Sequence, residues 1–562
     1  MNDAPDHRQT SAGIAQRGSL LLVLTLISCG GYWWLNRLSH FYRPEVEADQ
    51  QPTLTVIALL AGLFAVHWIA LWIVLRLPSG RNLCLGILLS SAIFRAIVVP
   101  STPILEIDYH RYIWDGAVLA EGVSPYRYAP EVVIDAAKPQ LDVNDEVLAS
   151  LVKLSRSSDS LDASLRTIHY EDHTSPYPLV SQVVFAAAAL VTPDNSSALL
   201  RVTIMKAFLT AFDLATLLLV MALLKSCGRH LGWSLCYGWC PLILKEIANG
   251  GHLDSIAIFF CTAAVWALVA QWRFKNESSA NSENEQTIVS AILLALAVGA
   301  KLYPIVLAPL FAAVWLRRFS WERLFIGIAI CGTFSIAFLS PQIASKLDAS
   351  VESKDGISAF LRRWEMNDLL FMVVRENLMP QAMIAPEKTP WFSFIPDSWS
   401  NEILDQYWLI KLGNAGNPRP KENGPLSFEL ARLVTGLVTL TIACVLAWRA
   451  ARPNGERENV VRAAFLSIAW FWLLFPAQNP WYWCWAIPLL PFARYRAWHA
   501  TAALALLYYL RFWFETHYAE SRVAQTPYNG EYFFYFVVPW FEFGPLLIAL
   551  YISWSVSRQK NL

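Results

Sequence analysis

Glu106 to Pro130 reads EIDYHRYIWDGAVLAEGVSPYRYAP, and it sets carboxylates, basic groups and aromatics side by side where an apolar run ends and the polar stretch 101–176 begins. On a helix, Asp108, Arg111 and Asp115 fall at i, i+3 and i+7 and share a face, with Tyr112 next to Arg111 in the chain. Ile107, Trp114 and Val118 fall on another face. Such a helix can lie in the lipid headgroup layer, aromatics down and acids up. It is then either an interfacial anchor with a solvated polar face or a reactive site. Acids held at a lipid surface cost free energy that water would spare, which favours the reactive site.

Three more polar clusters interrupt the apolar pattern. They are Lys245-Glu246 with Asn249, His252 and Asp254; Lys301-Leu302-Tyr303-Pro304; and Arg362-Arg363 with Asn367-Asp368. Any one of them could be a snorkelling anchor or a helix–helix ion pair. Together they suit group transfer from a lipid-borne donor. A carboxylate at the membrane surface can act as general base on an acceptor hydroxyl. A departing lipid phosphate needs cations and hydrogen-bond donors, which Lys245, His252, Lys301, Arg362 and Arg363 could supply. His252 and Asp254 are too few ligands, in the wrong register, for a closed zinc site, so no metal site is assigned. An oxygen-ligated divalent ion bridging a phosphate stays open, and no cofactor is certain. There is no Walker loop, dinucleotide fingerprint or Gly-x-Ser-x-Gly elbow, which weighs against nucleotide-driven transport and serine hydrolysis.

These clusters must be positioned by membrane helices. The chain of 562 residues is 55% hydrophobic and only 16% charged, with 25 Trp, and apolar runs of spanning length recur from end to end. Lys plus Arg equal Asp plus Glu at 44 each, so net charge points to no partner and nucleic acid is not expected. The nine Cys lie in or beside apolar segments, which indicates no disulfide framework. The first apolar run has no cleavage site after it and reads as a retained span. Candidate spans are 18–38, 53–76, 83–100, 177–192, 201–224, 231–247, 252–271, 286–300, 302–316, 322–340, 426–448, 460–476, 481–493, 498–514 and 533–556. Short connections rich in Arg and Lys, such as Arg317-Arg318 and Arg449 to Arg462, should be cytoplasmic. Counting from these puts 101–176, 341–425 and all four clusters outside. Counts from the two ends disagree by one span between 101 and 230. The weakest segment, 177–192, is therefore expected to be re-entrant or interfacial, with a short tilted span as the alternative. The expected fold is all-α: a polytopic bundle of about 14 spans (range 12–15) in one domain over 1–562, with two long extracytoplasmic loops. Residues 274–285 read as a solvated linker. The loop 341–425 reads as a membrane-parallel helix to about Asn377, then an aperiodic Pro-, Trp- and Gly-rich remainder.

The stretch IDYHRYIWDG…GVSPYRYAP at 107–130 resembles the first-loop motif of the GT-C superfamily of integral-membrane glycosyltransferases, especially bacterial polyprenyl-phosphate-mannose-dependent mannosyltransferases. Its Ile-Asp-Tyr-His and Ser-Pro-Tyr pieces also look like the catalytic subunit of the GPI mannosyltransferase. PLILKEIANGGHLDS (241–255), Lys301 to Pro304, NDLLF (367–371), NPWY (479–482) and EFGPL (542–546) are similar to the family in the same order. The resemblance implies a GT-C-like core, a polyprenyl-phosphate sugar donor, a glycan or glycolipid acceptor and a place in the bacterial inner membrane. It implies an inverting transfer of a hexose, mannose foremost, with the catalytic acid of the first outer loop falling on Asp108 and Asp115 the second choice. Two spans precede the usual first span, and Ser175-Pro176-Tyr177-Pro178 has fewer prolines than the family pattern. The competing class is a transporter or flippase of a lipid-linked or amphiphilic substrate. It would show internal repeats and broken helices meeting at the midplane, and no repeat is visible.

Overall fold

The computed structural model describes residues 11–138, 144–270, 280–347, 356, 364–382, 384–412, 419–420, 423–453 and 455–559. Regular structure among them is helical; the one β-bridge pairs Met366 with Ala477. The helices that position the site are α1 (Ser11–Leu38), α2 (Thr53–Val74), α3 (Arg81–Val98), α4 (Tyr109–Ala120), α5 (Leu179–Val191), α6 (Ala198–Ser226), α7 (Asp254–Ala270), α8 (Ala280–Ala300), α9 (Trp321–Leu347), α10 (Leu370–Leu378), α11 (Asp397–Leu412), α12 (Gly424–Ala450), α13 (Arg457–Leu474) and α14 (Gly530–Gln559).

Seven of these, α1, α2, α3, α6, α9, α12 and α14, are long and apolar enough to cross a membrane. The apolar helices α5, α7 and α8 are shorter or only partly apolar. Segments 231–247, 302–316, 481–493 and 498–514, expected as continuous spans, are chains of short helical pieces. Hydropathy sees their apolar content but not their breaks. Pro241, Pro304, Pro309, Pro480, Pro488 and Pro491 each remove a backbone donor or begin a new piece. The segment around 498–514 breaks without proline, and we have no physical account of that break.

α6 runs antiparallel to α3. Lys206 on α6 donates to the Ser101 carbonyl at 2.7 Å, and Asp213, two turns further on, pairs with Arg95 at 2.6 Å. Arg95 also donates to the carbonyls of Gly238 and Ser91 at 2.8 and 3.1 Å. With its partners complete, this buried pair locks the two helices, and removing one partner alone would cost about 3–5 kcal/mol. The far end of α6 lies by Arg457, which donates to the Ser226 carbonyl at 3.0 Å. α6 therefore begins on the side where α3 ends. α5 (Leu179–Val191), between them in sequence, carries Ser181 in its first turn, donating to the Ala300 carbonyl, and is followed by Ser196, whose carbonyl accepts from Ser160. The chain between α3 and α6 thus starts and ends at one end of this helix pair, as a non-crossing 177–192 would require.

α4 is not an interfacial helix with an open polar face. Nine of its residues, Tyr109, Arg111 to Val118, are buried, packed against α5 and α6. A Cβ at Gly116 would meet the Phe185 carbonyl oxygen at 2.4 Å, so glycine permits this approach. The linker expected at 274–285 lies outside the described residues up to 279, and α8 has begun by Ala280. The second loop contains more helix than expected in its remainder. α11 starts at Asp397, whose carboxylate accepts from the backbone of Gln381 and Ala382 at 2.8 and 2.6 Å; of the helix expected to about Asn377, α10 is described, and 348–355 and 357–363 lie outside the described residues.

Candidate active site

The site is built on the strand of chain that leaves α3. Asn249 holds it: its side-chain oxygen accepts from Ile104 N–H at 3.1 Å, and its amide donates to Ser101 Oγ at 2.8 Å and the Thr102 carbonyl at 2.9 Å. Leu105 follows with φ +54°, a conformation that costs a non-glycine residue about 1–3 kcal/mol. Glu106 then folds back, one carboxylate oxygen accepting from the N–H groups of Ile107 and Asp108 at 2.9 and 2.7 Å. Asp108 stands at the N-terminus of α4 and lines a cavity of about 580 Å³.

The second wall comes from Leu244–Asn249, a π-helical turn closed by Gly250 N–H to the Lys245 carbonyl at 2.8 Å. Such turns concentrate at functional sites. Gly251, φ +75°, turns the chain so that His252 faces Glu106. The imidazole Nε2 lies 2.9 Å from Glu106 and 3.2 Å from Glu246, and the ring stacks on Trp481 at 4.3 Å. Glu246 also accepts from the Tyr509 hydroxyl and lies 3.9 Å from Lys245. At the head of α7, Asp254 accepts from Lys301 at 2.6 Å and from the Trp485 indole. Tyr303 stacks on Trp485 at 4.1 Å, and the Lys301 ammonium lies 4.7 Å over Tyr482.

Electrostatics separate the two acids of the first loop. Burial pushes the Asp108 carboxyl up to about 7, helped by the Glu106 charge and opposed by His252 and Lys301. Burial would raise Glu106 too, but His252, the Asp108 N–H and Lys245 hold it below the usual range. Burial disfavours the His252 cation, yet Glu106 and Glu246 carry it up to about 10. His252 is therefore an imidazolium at neutral pH. Glu106, Asp108 and His252 bring one ligand atom each within 4.8 Å of one another, the only such group among the described residues. A metal held there would need the neutral ring, since a protonated imidazole has no lone pair for it.

Of the residues singled out in the sequence, Asp108, Arg111, Tyr112, His252, Asp254 and Lys301 line this one cavity. Arg111 donates to the carbonyls of Tyr170 and His173 at 2.8 and 3.1 Å. Tyr170 is held at φ +57° with its ring 54% exposed at the cavity rim, edge-on to Trp364. Tyr112 stacks on Phe185 at 4.8 Å. Lys245, Glu246 and Asn249 lie behind the wall and act through it. Asp115 does not line the cavity. It is buried, 3.3 Å from the Gln182 amide, and ties α4 to α5. Asn367 and Asp368 lie elsewhere: the Asn367 amide donates to the Gln478 carbonyl and to Glu542 at 3.2 and 3.3 Å. Arg362 and Arg363 lie outside the described residues.

Sequence reasoning passed over most of the aromatic wall and the rim. Phe471, Phe475 and Trp485 line the cavity beside Tyr303 and Tyr482 as one aromatic wall, and His169 and His173 also line it. The run of aromatics from 470 to 485 was the available signal. Arg432, the one basic residue of the apolar run 426–448, also lines the cavity.

Residues 13–317 match the family model described as MptA_B family, alpha-(1->6)-mannopyranosyltransferase, N-terminal domain. No curated protein and no solved structure matches the chain.

Proposed function

We propose, because the chain belongs to the MptA_B family of alpha-(1->6)-mannopyranosyltransferases, that it moves a mannosyl group from a polyprenyl-phosphate donor to a hydroxyl of a glycan or glycolipid on the outer face of a bacterial inner membrane. It is a membrane mannosyltransferase; the donor, the face and the mechanism are this further reading. The observation that carries it is the Asp108 carboxylate, which lines the cavity and accepts no hydrogen bond from the described residues, while its neighbour Glu106 is fully engaged.

The acceptor hydroxyl enters past Tyr170 and Trp364 and gives its proton to Asp108. Its oxygen forms a bond to the anomeric carbon as the bond from that carbon to the phosphate oxygen breaks. The electron pair leaves with the polyprenyl phosphate, which gains one negative charge. A single displacement inverts the anomeric centre, so an alpha product requires a beta-linked donor. Asp254 fixes Lys301 beside Tyr482, where the ammonium can meet the sugar. The wall of Tyr303, Tyr482 and Trp485 offers flat apolar faces to a hexose ring. The absence of a nucleotide-binding motif supports a lipid donor.

The test is transfer of label from radiolabelled polyprenyl-phosphate-mannose to an envelope acceptor by the purified protein in detergent. Label transfer with inversion supports the reading. Transfer from GDP-mannose in the absence of any lipid donor overturns it. Cysteines placed at Asp108 and Lys301 in a Cys-free background should react with an impermeant thiol reagent in intact spheroplasts; reaction only after lysis overturns the assigned face.

A further inference from the structure

We infer that Arg432 receives the phosphate of the lipid donor; this rests on the polyprenyl-phosphate reading above. α12 is a membrane-length apolar helix, and Arg432 stands eight residues in from its first residue, Gly424. At 1.5 Å per residue that is about 12 Å along the axis. An arginine within an apolar helix of membrane length carries a desolvation cost and marks a functional contact unless it is paired or reaches water.

Arg432 is not paired. Its guanidinium donates no hydrogen bond and forms no ion pair among the described residues. Glu429, one turn away, is held by Lys411 at 2.5 Å. The nearest ring contact is Phe428, 5.8 Å from the guanidinium carbon. Arg432 nevertheless lines the cavity that holds Asp108.

The other cations of that cavity are already engaged. Lys301 is neutralised by Asp254. His252 is shared by Glu106 and Glu246. Arg111 is 6% exposed and donates to two carbonyls. Among the described Lys and Arg residues that line this cavity, Arg432 is thus the one with no hydrogen-bonded or ion-paired partner.

Its neighbours fit a lipid phosphate. Leu433, Val434 and Leu437 on the same helix are 48%, 41% and 56% exposed, which places Arg432 beside the lipid-facing surface. Ile305, which also lines the cavity, is 56% exposed. An isoprenoid chain lying over Ile305 and the α12 surface would set its phosphate at Arg432 and its sugar toward Asp108. As the carbon–oxygen bond breaks, the phosphate goes from a singly charged diester to a more highly charged monoester. A planar guanidinium matches that group in two parallel hydrogen bonds and gains most at the product charge.

Arg432→Gln and Arg432→Lys test this in the purified full chain, with polyprenyl-phosphate-mannose varied at fixed acceptor. Loss of a charged hydrogen bond should raise the donor KM by about 10–100-fold in Arg432→Gln, leave the acceptor KM unchanged, and weaken inhibition by polyprenyl phosphate similarly. Arg432→Lys should recover part of the loss. A wild type that uses the lipid donor, with Arg432→Gln matching it in donor KM and in polyprenyl-phosphate inhibition, overturns the inference and leaves the donor reading standing. A wild type inactive with the lipid donor but active with another overturns both. If neither variant folds, arginine modification of the wild type by phenylglyoxal decides the matter: undecaprenyl phosphate should shield Arg432 and undecaprenol should not. Equal shielding by the two, or none by either, overturns the inference.

Discussion

Leu105–Asp108 and Glu365–Asp368 are built alike and do different things. Each contains a pair of acids and a left-handed non-glycine residue, Leu105 at φ +54° and Asn367 at φ +50°. Each leads into a helix, α4 or α10, and near each a buried asparagine staples a loop, the one that enters α4 in the first case and one that packs by the end of α10 in the second. Asn249 holds 101–104; Asn377 holds 392–395 through Phe392, Phe394 and Ile395. Burial raises the carboxyl of Asp108 to about 7, and burial with the Glu365 charge raises that of Asp368 well above the usual range. The difference is what faces them. Asp108 lines the cavity with His252 and Lys301 near enough to restrain its shift. Asp368 lines no part of that cavity, and Arg375 beside it is shared by Glu365 and Glu376 at 2.9 and 3.0 Å. A raised carboxyl marks a base only where a substrate oxygen can reach it.

The largest separation between the two regions should come from isosteric amides. Asp108→Asn cannot take the acceptor proton, and turnover should fall by about 10²-fold or more while donor binding changes little. Asp368 lines no part of the cavity, and burial already pushes its carboxyl toward the neutral form, so Asp368→Asn should keep turnover within about threefold. Both are read as initial rates of mannosyl transfer alongside lipid-donor binding. A dead Asp368→Asn with an active Asp108→Asn would reverse the assignment, and Asp254 would be the next candidate if both were active.

The two staples offer a second, smaller contrast. Asn249→Ala and Asn377→Ala each leave buried backbone groups unpaired and should lower stability by about 1–3 kcal/mol, seen as a reduced thermal midpoint in detergent. Only Asn249→Ala releases the strand bearing Glu106 and Asp108, and a displacement near 1 Å can cost about 10–10²-fold in turnover. Equal turnover in the two variants would mean that the 101–104 segment does not position the base.

The smallest effect concerns metal. His252, held as a cation to about pH 10, offers no lone pair to an ion between Glu106 and Asp108. Chelation with EDTA followed by added Mg²⁺ should change the transfer rate less than about twofold. A rate abolished by chelation and restored by the ion would place a metal where the imidazolium is assigned.

Much of this was legible in the sequence, and the reasons are specific. Asp108, Arg111, His252, Asp254 and Lys301 could be picked out because ionisable groups beside apolar runs are costly, and they do line one cavity. Membrane helices were legible from apolar length, as in α2, α6 and α12. The 231–249 and 480–492 segments were not, because apolar content does not record where prolines and π turns break a helix. Asp115 shares a helical face with Arg111, yet Gln182, 67 residues away, covers it. The Arg95–Asp213 pair spans 118 residues, beyond any local spacing rule. Arg432 was passed over because a lone arginine in a leucine- and valine-rich run also reads as a snorkelling side chain; only the cavity distinguishes the two.

The pH dependence of kcat/KM tests the assignment of Asp108 most directly. Only the carboxylate form can accept a proton, and its share falls as pH drops through the folded pKa of about 7. The wild-type profile should be flat above that pH and decline below it, approaching about tenfold per unit. The residual rate of Asp108→Asn should lack this acidic limb, whereas Asp368→Asn should keep it. An acidic limb that survives unchanged in Asp108→Asn would contradict the assignment, since the titrating base would then be another group.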